Sequence, residues 1–95
     1  MPERSKDWIR QATRDLESAR SQKRAGFHEW ACFIAQQAAE KALKSLYQQL
    51  GAEAWGHSLL DLMSGLQEKV VLPEALREDA QSLDRLYVPT RYLNG

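Results

Sequence analysis

The stretch FHEWACFIAQQAAEKALKSLYQQL, from Phe27 to Leu50 between two glycines, constrains this chain more than any other feature. It is an apolar helix stopped by Gly51. Ala31, Ala35, Ala38 and Ala42 share one side of that helix, and Cys32, Ala39, Leu43, Leu46 and Leu50 line another. A helix apolar on so many sides sits at the centre of a bundle, with neighbours in more than one direction. Its alanines allow a second helix to approach closely, either within the chain or across a dimer. The remaining stripe is polar: Gln37, Lys41, Lys44 and Gln48, with Glu40 four residues before Lys44 in the favourable order for a helical ion pair. This stripe reads either as the solvent face or as a surface where Lys41 and Lys44 meet phosphate.

Three further helices are expected around it. The first runs from about Glu3 to Lys23, with Ile9, Ala12, Leu16 and Ala19 at the spacing of one buried stripe and Trp8 widening it. Gly26 caps its C-terminus. After GAEAWGH, Ser58 and Asp61 form a variant capping box, and a short helix from Leu59 to about Gln67 turns Leu59, Leu62, Met63 and Leu66 inward. Pro73 opens the last helix, where the missing amide costs nothing. Leu76, Ala80, Leu83 and Tyr87 are its buried stripe, and Pro89 is expected to end it. No strand alternation and no internal repeat interrupts this pattern. The predicted fold class is all-α, an up-and-down antiparallel bundle of about four helices in which residues 1–95 form a single domain.

Size and composition narrow the function classes. A chain of 95 residues buries only ~60–65% of its unfolded surface, so its core is thin and association would help it. The single Cys32 excludes an internal disulfide and argues against a structural zinc cluster, which suits a reducing cytoplasm. No apolar run approaches the ~20 residues of a membrane span, and no signal-type stretch follows the N-terminus. The expectation is a cytoplasmic protein that needs neither membrane nor cofactor. Net charge is zero, which offers no general pull toward nucleic acid. Near the N-terminus, however, Arg4, Lys6, Arg10, Arg14, Arg20, Lys23 and Arg24 outnumber Glu3, Asp7, Asp15 and Glu17. That excess either steers an anion or decorates a solvated helix.

The chain holds no glycine-rich phosphate loop, no His and Cys cluster of metal type and no nucleophile elbow. His57, between Gly56 and Ser58, is either a general acid or base or a residue that holds its turn. Trp8, Trp30 and Trp55 either stack on bases or pack in the core. Cys32 reads as a small apolar residue. The most specific functional candidate is Arg91 with Tyr92, because a guanidinium fork matches phosphate oxygens and a neighbouring ring can stack on a base.

Taken together, DWIRQATRDLESAR, FHEWACFIAQQAAEKALKSLY, GHSLLDLM and VPTRY, in this order and spacing, resemble the HEPN domain, named for nucleotide-binding proteins of higher eukaryotes and prokaryotes. The resemblance covers nearly the whole chain. It implies an all-α up-and-down bundle, commonly a homodimer, often encoded with a minimal nucleotidyltransferase partner as a two-component system of toxin–antitoxin type. Many such proteins are metal-independent ribonucleases whose motif is an Arg followed a few residues later by a His, at a cleft between protomers. Others are nucleotide-binding or accessory domains. Here Leu93, Asn94 and Gly95 follow Arg91 and Tyr92, so Arg91 carries over while the motif His has no position. His57 is the one substitute on offer. The family's final helix is also missing, which would leave an apolar groove that favours association. Binding of a nucleotide or RNA therefore ranks above cleavage, with a non-catalytic homodimerising interaction module, or a truncated helical bundle, as the alternative.

Overall fold

Ser5, Ala12 and Ala19 recur every seven residues on the first helix, α1 (Ser5–Arg24), and Ala31, Ala38 and Ser45 do so on the second, α2 (His28–Leu50). All six are buried. In this computed structural model, which describes residues 4–54, 56 and 58–94 and their side chains as far as Arg85, the two small-residue rows form the seam between antiparallel helices. The Ser45 hydroxyl donates to the Ser5 carbonyl at 2.9 Å, and Lys41 meets Asp15 at 2.7 Å. Small side chains at every crossing bring the backbones together, so the two α2 alanines of the seam serve contact within the chain.

Each helix of this hairpin ends in the same way. Gly26 (φ 91°) and Gly51 (φ 67°) adopt the left-handed conformation. Their amides bond Lys23 and Gln48, while the amides of Phe27 and Ala52 reach back to Gln22 and Tyr47. This paired pattern satisfies the free carbonyls of a helix end. At Gly51 it is completed by packing, since Ala52 lies against the Tyr47 cluster. At Gly26 the equivalent partner of Phe27 is the polar Gln22, and Phe27 stays 62% exposed.

The third and fourth helices, α3 (Leu59–Leu66) and α4 (Glu74–Asn94), cover the other side of α2. All four apolar residues expected to face inward from α3 are buried: Leu59, Leu62, Met63 and Leu66. Leu62 and Leu66 enclose Tyr47 with Leu43 and Leu46, and Leu59 and Met63 meet Ala80 with Ala39 and Leu83. Thus α2 touches every other helix, as a helix apolar on several sides must, whereas α1 packs on α2 alone among the described residues. No helix among them is long and apolar enough to cross a membrane.

Four local expectations change. Leu76, expected in the buried stripe of α4, is 49% exposed. Ile9 and Leu16, read as part of the buried stripe of α1, are 47% and 41% exposed. The seam is only one small residue wide, and among the described residues no second helix packs on α1 to cover their flank. The polar stripe of α2 is not simply a solvent face, because Lys41, Lys44 and Gln48 all engage α1. Finally, Pro89 does not end α4, which continues to Asn94. Proline lacks the amide that would bond the Arg85 carbonyl, yet its φ is helical, so an established helix loses one bond there and goes on.

Candidate functional site

The N-terminus of α3 is held from α4. Ser58 caps it in the expected way, accepting the Asp61 amide at 3.0 Å. The first two α3 amides, of Leu59 and Leu60, donate to the two carboxylate oxygens of Asp84 at 2.9 and 3.1 Å. These amides have no partner within their own helix, and a carboxylate at a helix N-terminus also complements the dipole. Asp84 was not singled out by sequence reasoning. Its one signal is its place four residues after Ala80, on the flank of the inward stripe. Replacing Asp84 with alanine is expected to cost about 1–2 kcal/mol, a fall of roughly 5–10 °C in Tm for a domain of this size. Thermal melts followed by circular dichroism check this, and an unchanged Tm would show that the clamp carries no weight.

The clamp organises the end of the molecule where the Arg-Tyr element lies. Arg91 is seven residues beyond Asp84 in the same helix, which is two turns, or about 10 Å, further along nearly the same face. The element therefore belongs to the final turns of α4 rather than to a tail after it. His57 directly precedes Ser58 in the chain. His57 itself, Trp55, and the side chains of Arg91 and Tyr92 lie outside the described residues.

Lys41 and Lys44 lie on the opposite side of α2. The Lys41 ammonium pairs with Asp15, both half-buried. Lys44 bonds Glu40 at 3.1 Å and stands 5.6 Å from the centre of the Trp8 ring. Beside it opens a cleft of about 400 Å3 lined by Trp8, Lys44, Tyr47, Gln48 and the 52–54 loop. Tyr47 donates its hydroxyl proton to the Leu62 carbonyl at 2.7 Å, and burial raises its pKa above the usual tyrosine value. Among the tryptophans, Trp8 is half-buried, whereas Trp30 is 51% exposed and stacks on Phe33.

A long central helix, a small-residue hairpin partner and a short third helix clamped from the fourth define a small all-α bundle domain. The HEPN domain model matches residues 5–95, and the chain belongs to that family. It is similar to a Thermus thermophilus protein of known crystal structure, at 50% identity over 96% of this chain and 72% of the other, with a TM-score of 0.87. An HEPN domain protein from Thermotoga maritima is 44% identical over 82% of this chain and 65% of its own, with a TM-score of 0.80. An archaeal HEPN homologue is 46% identical over 97% and 70%, with a TM-score of 0.78. No curated protein matches the chain.

Proposed function

We propose that this chain is a nucleotide- or RNA-associated HEPN module that contacts phosphate through Arg91, with Tyr92 offering a ring for a base. It would work beside a minimal nucleotidyltransferase partner in a toxin–antitoxin-type pair. The observation that supports this reading is the Asp84 clamp. It fastens the start of α3, the residues directly after His57, to α4 two turns before Arg91. A permanent cation thus belongs to the helix that holds the start of α3. Arg91 ranks ahead of Lys41 and Lys44, because those two ammonium groups already answer to Asp15 and Glu40 and would have to leave them to serve a ligand. Binding is favoured over cleavage. In metal-free cleavage a cation can stabilise the phosphorane, but a proton must also be taken and returned, which an arginine does not do at neutral pH.

Calorimetric titration with nucleotides and a short RNA tests the assignment. Arg91→Ala should weaken binding about tenfold or more, as expected when a charge-assisted hydrogen bond is lost. Unchanged affinity would remove Arg91 from the site. RNA cleavage in the presence of chelator that disappears in Arg91→Ala would convert the reading to a ribonuclease. The second reading, a homodimerising interaction module, is favoured by the exposure of Ile9 and Leu16 on a helix that packs on α2 alone among the described residues. A monomer by light scattering at tens of micromolar would count against it.

A further inference from the structure

The turn between α1 and α2 carries two large rings turned to solvent. Phe27 is 62% exposed and Trp30 51% exposed. The Trp30 and Phe33 rings stack with centroids 5.3 Å apart and planes 17° from parallel. The backbone explains why Phe27 is where it is, but not why it is phenylalanine. Its amide closes the turn onto the Gln22 carbonyl, and the hydrophobic contact that usually accompanies such a turn is missing because Gln22 is polar. The equivalent turn at Gly51 shows the ordinary solution: a small residue, Ala52, packed against Tyr47. At Gly26 a large ring is turned to solvent instead.

The same tip is basic. Asp7 faces Arg4 and Arg10, and Asp15 is taken by Lys41. Among the described residues of α1 this leaves Lys6, Arg14, Arg20, Lys23 and Arg24 in no ion pair, against Glu17 alone. Arg20, Lys23 and Arg24 occupy the last turns of α1, directly before the aromatic group. Glu29 is the acid on the α2 side, in the first turn, where it complements the positive end of its own helix. Helix dipoles also account for Lys23 and Arg24. They do not account for Arg20 or for exposed rings.

We infer that the α1–α2 tip is a binding site for single-stranded nucleic acid, with Trp30 and Phe27 as stacking surfaces and Arg20, Lys23 and Arg24 as phosphate contacts. Rings that accept any base face, beside cations that follow a backbone, are the two elements by which single strands are held without sequence readout. The groups named for this site do not include Arg91 or Tyr92.

The test is fluorescence anisotropy of a labelled oligouridylate of about ten nucleotides, long enough for one small site, titrated with the full chain from low salt upward. Three phosphate contacts predict a slope of log K against log salt near −2, since each contributes about −0.7 on a single strand. Trp30→Ala should weaken binding roughly tenfold, and Phe27→Ala, at a still more exposed position, should weaken it independently. The double variant Arg20→Ala, Arg24→Ala should bring the slope to about −0.7. Titration with a mononucleotide, too short to follow three phosphate contacts, reports Arg91 instead: Trp30→Ala should leave mononucleotide affinity intact and Arg91→Ala should lower it, so failure at one site is distinguishable from failure at the other. No binding by the unmodified chain would overturn the inference. So would equal affinity in Trp30→Ala and Phe27→Ala, both with unchanged circular dichroism, or an unchanged slope in the arginine variant. Preference for vesicles of phosphatidylglycerol over the oligonucleotide would assign the tip to a lipid surface. Loss of self-association in Trp30→Ala would assign it to a second copy of the chain.

Discussion

Replacing Gly65 with alanine should destabilise the protein by about 2–3 kcal/mol, although alanine is the better helix former by about 1 kcal/mol. Gly65 lies inside α3. A Cβ there would press on the Tyr47 hydroxyl, well inside van der Waals contact, and lie 3.4 Å from the ring carbon that bears it. Tyr47 cannot yield easily. Only 5% of it is exposed, it is enclosed by Leu62 and Leu66, and its hydroxyl is fixed on the Leu62 carbonyl. Overpacking a site of this kind costs about 1–3 kcal/mol, and breaking the hydrogen bond adds about 1 kcal/mol. The decisive comparison is the same change in a Tyr47→Phe background. Tyr47→Phe alone should cost about 1 kcal/mol, yet there Gly65→Ala should cost little, because the colliding oxygen is gone. Denaturant unfolding of the four proteins gives the coupling energy, and equal costs in both backgrounds would sink the explanation.

The same hydroxyl sets a pH dependence. Burial raises the Tyr47 pKa in the folded chain, so above about pH 10 the unfolded chain releases the proton more readily than the folded one. Stability is retained below that pH and declines as pH rises through the folded-state value. Tyr47→Phe should remove this contribution to the alkaline decline.

Enlarging the α1–α2 seam should have a comparable effect. Ala38→Leu places a branched side chain where the register of Ser5 with Ser45 and of Asp15 with Lys41 sets Ala38 opposite Ala12, both buried. There is no room for it unless α1 moves away, and α1 is held by α2 alone among the described residues. The expected loss is about 2–3 kcal/mol, with increased amide exchange through α1 and loss of the Ser45–Ser5 bond. Ala42→Leu is the control. Ala42 is exposed one turn further along the same helix, so its enlargement should stay within about 0.5 kcal/mol. If both substitutions cost the same, the seam is not the close contact described above.

These cases show where sequence reasoning reached and where it stopped. The four helices were legible because their signals are local: apolar periodicity in α2 and α3, glycine at the ends of α1 and α2, and Ser58 three residues before the Asp61 amide it accepts. The alanines of α2 were legible as a surface for close approach. Which of them would serve was not, because Ala31 and Ala38 join Ser45 only when a second helix with its own seven-residue row lies against them. Pro89 misled for the opposite reason. A local breaking signal was outweighed by the helix already formed on both sides of it.

The candidate site divides in the same way. Arg91 and Tyr92 were visible through their side-chain chemistry and their resemblance to a family element, whereas Asp84, which ties α3 to the helix carrying them, showed only its place four residues after Ala80. A carboxylate on one helix flank looks like any solvated acid until the amides of another helix are brought to it. By itself the sequence determined helix content, the central place of α2, the inward face of α3 and the family. The tertiary structure alone decided that Lys41 and Lys44 face α1 and that Ile9, Leu16, Phe27 and Trp30 remain exposed. Helix formation depends on neighbours within a few positions in the chain, whereas burial of a face depends on which distant segment comes to cover it.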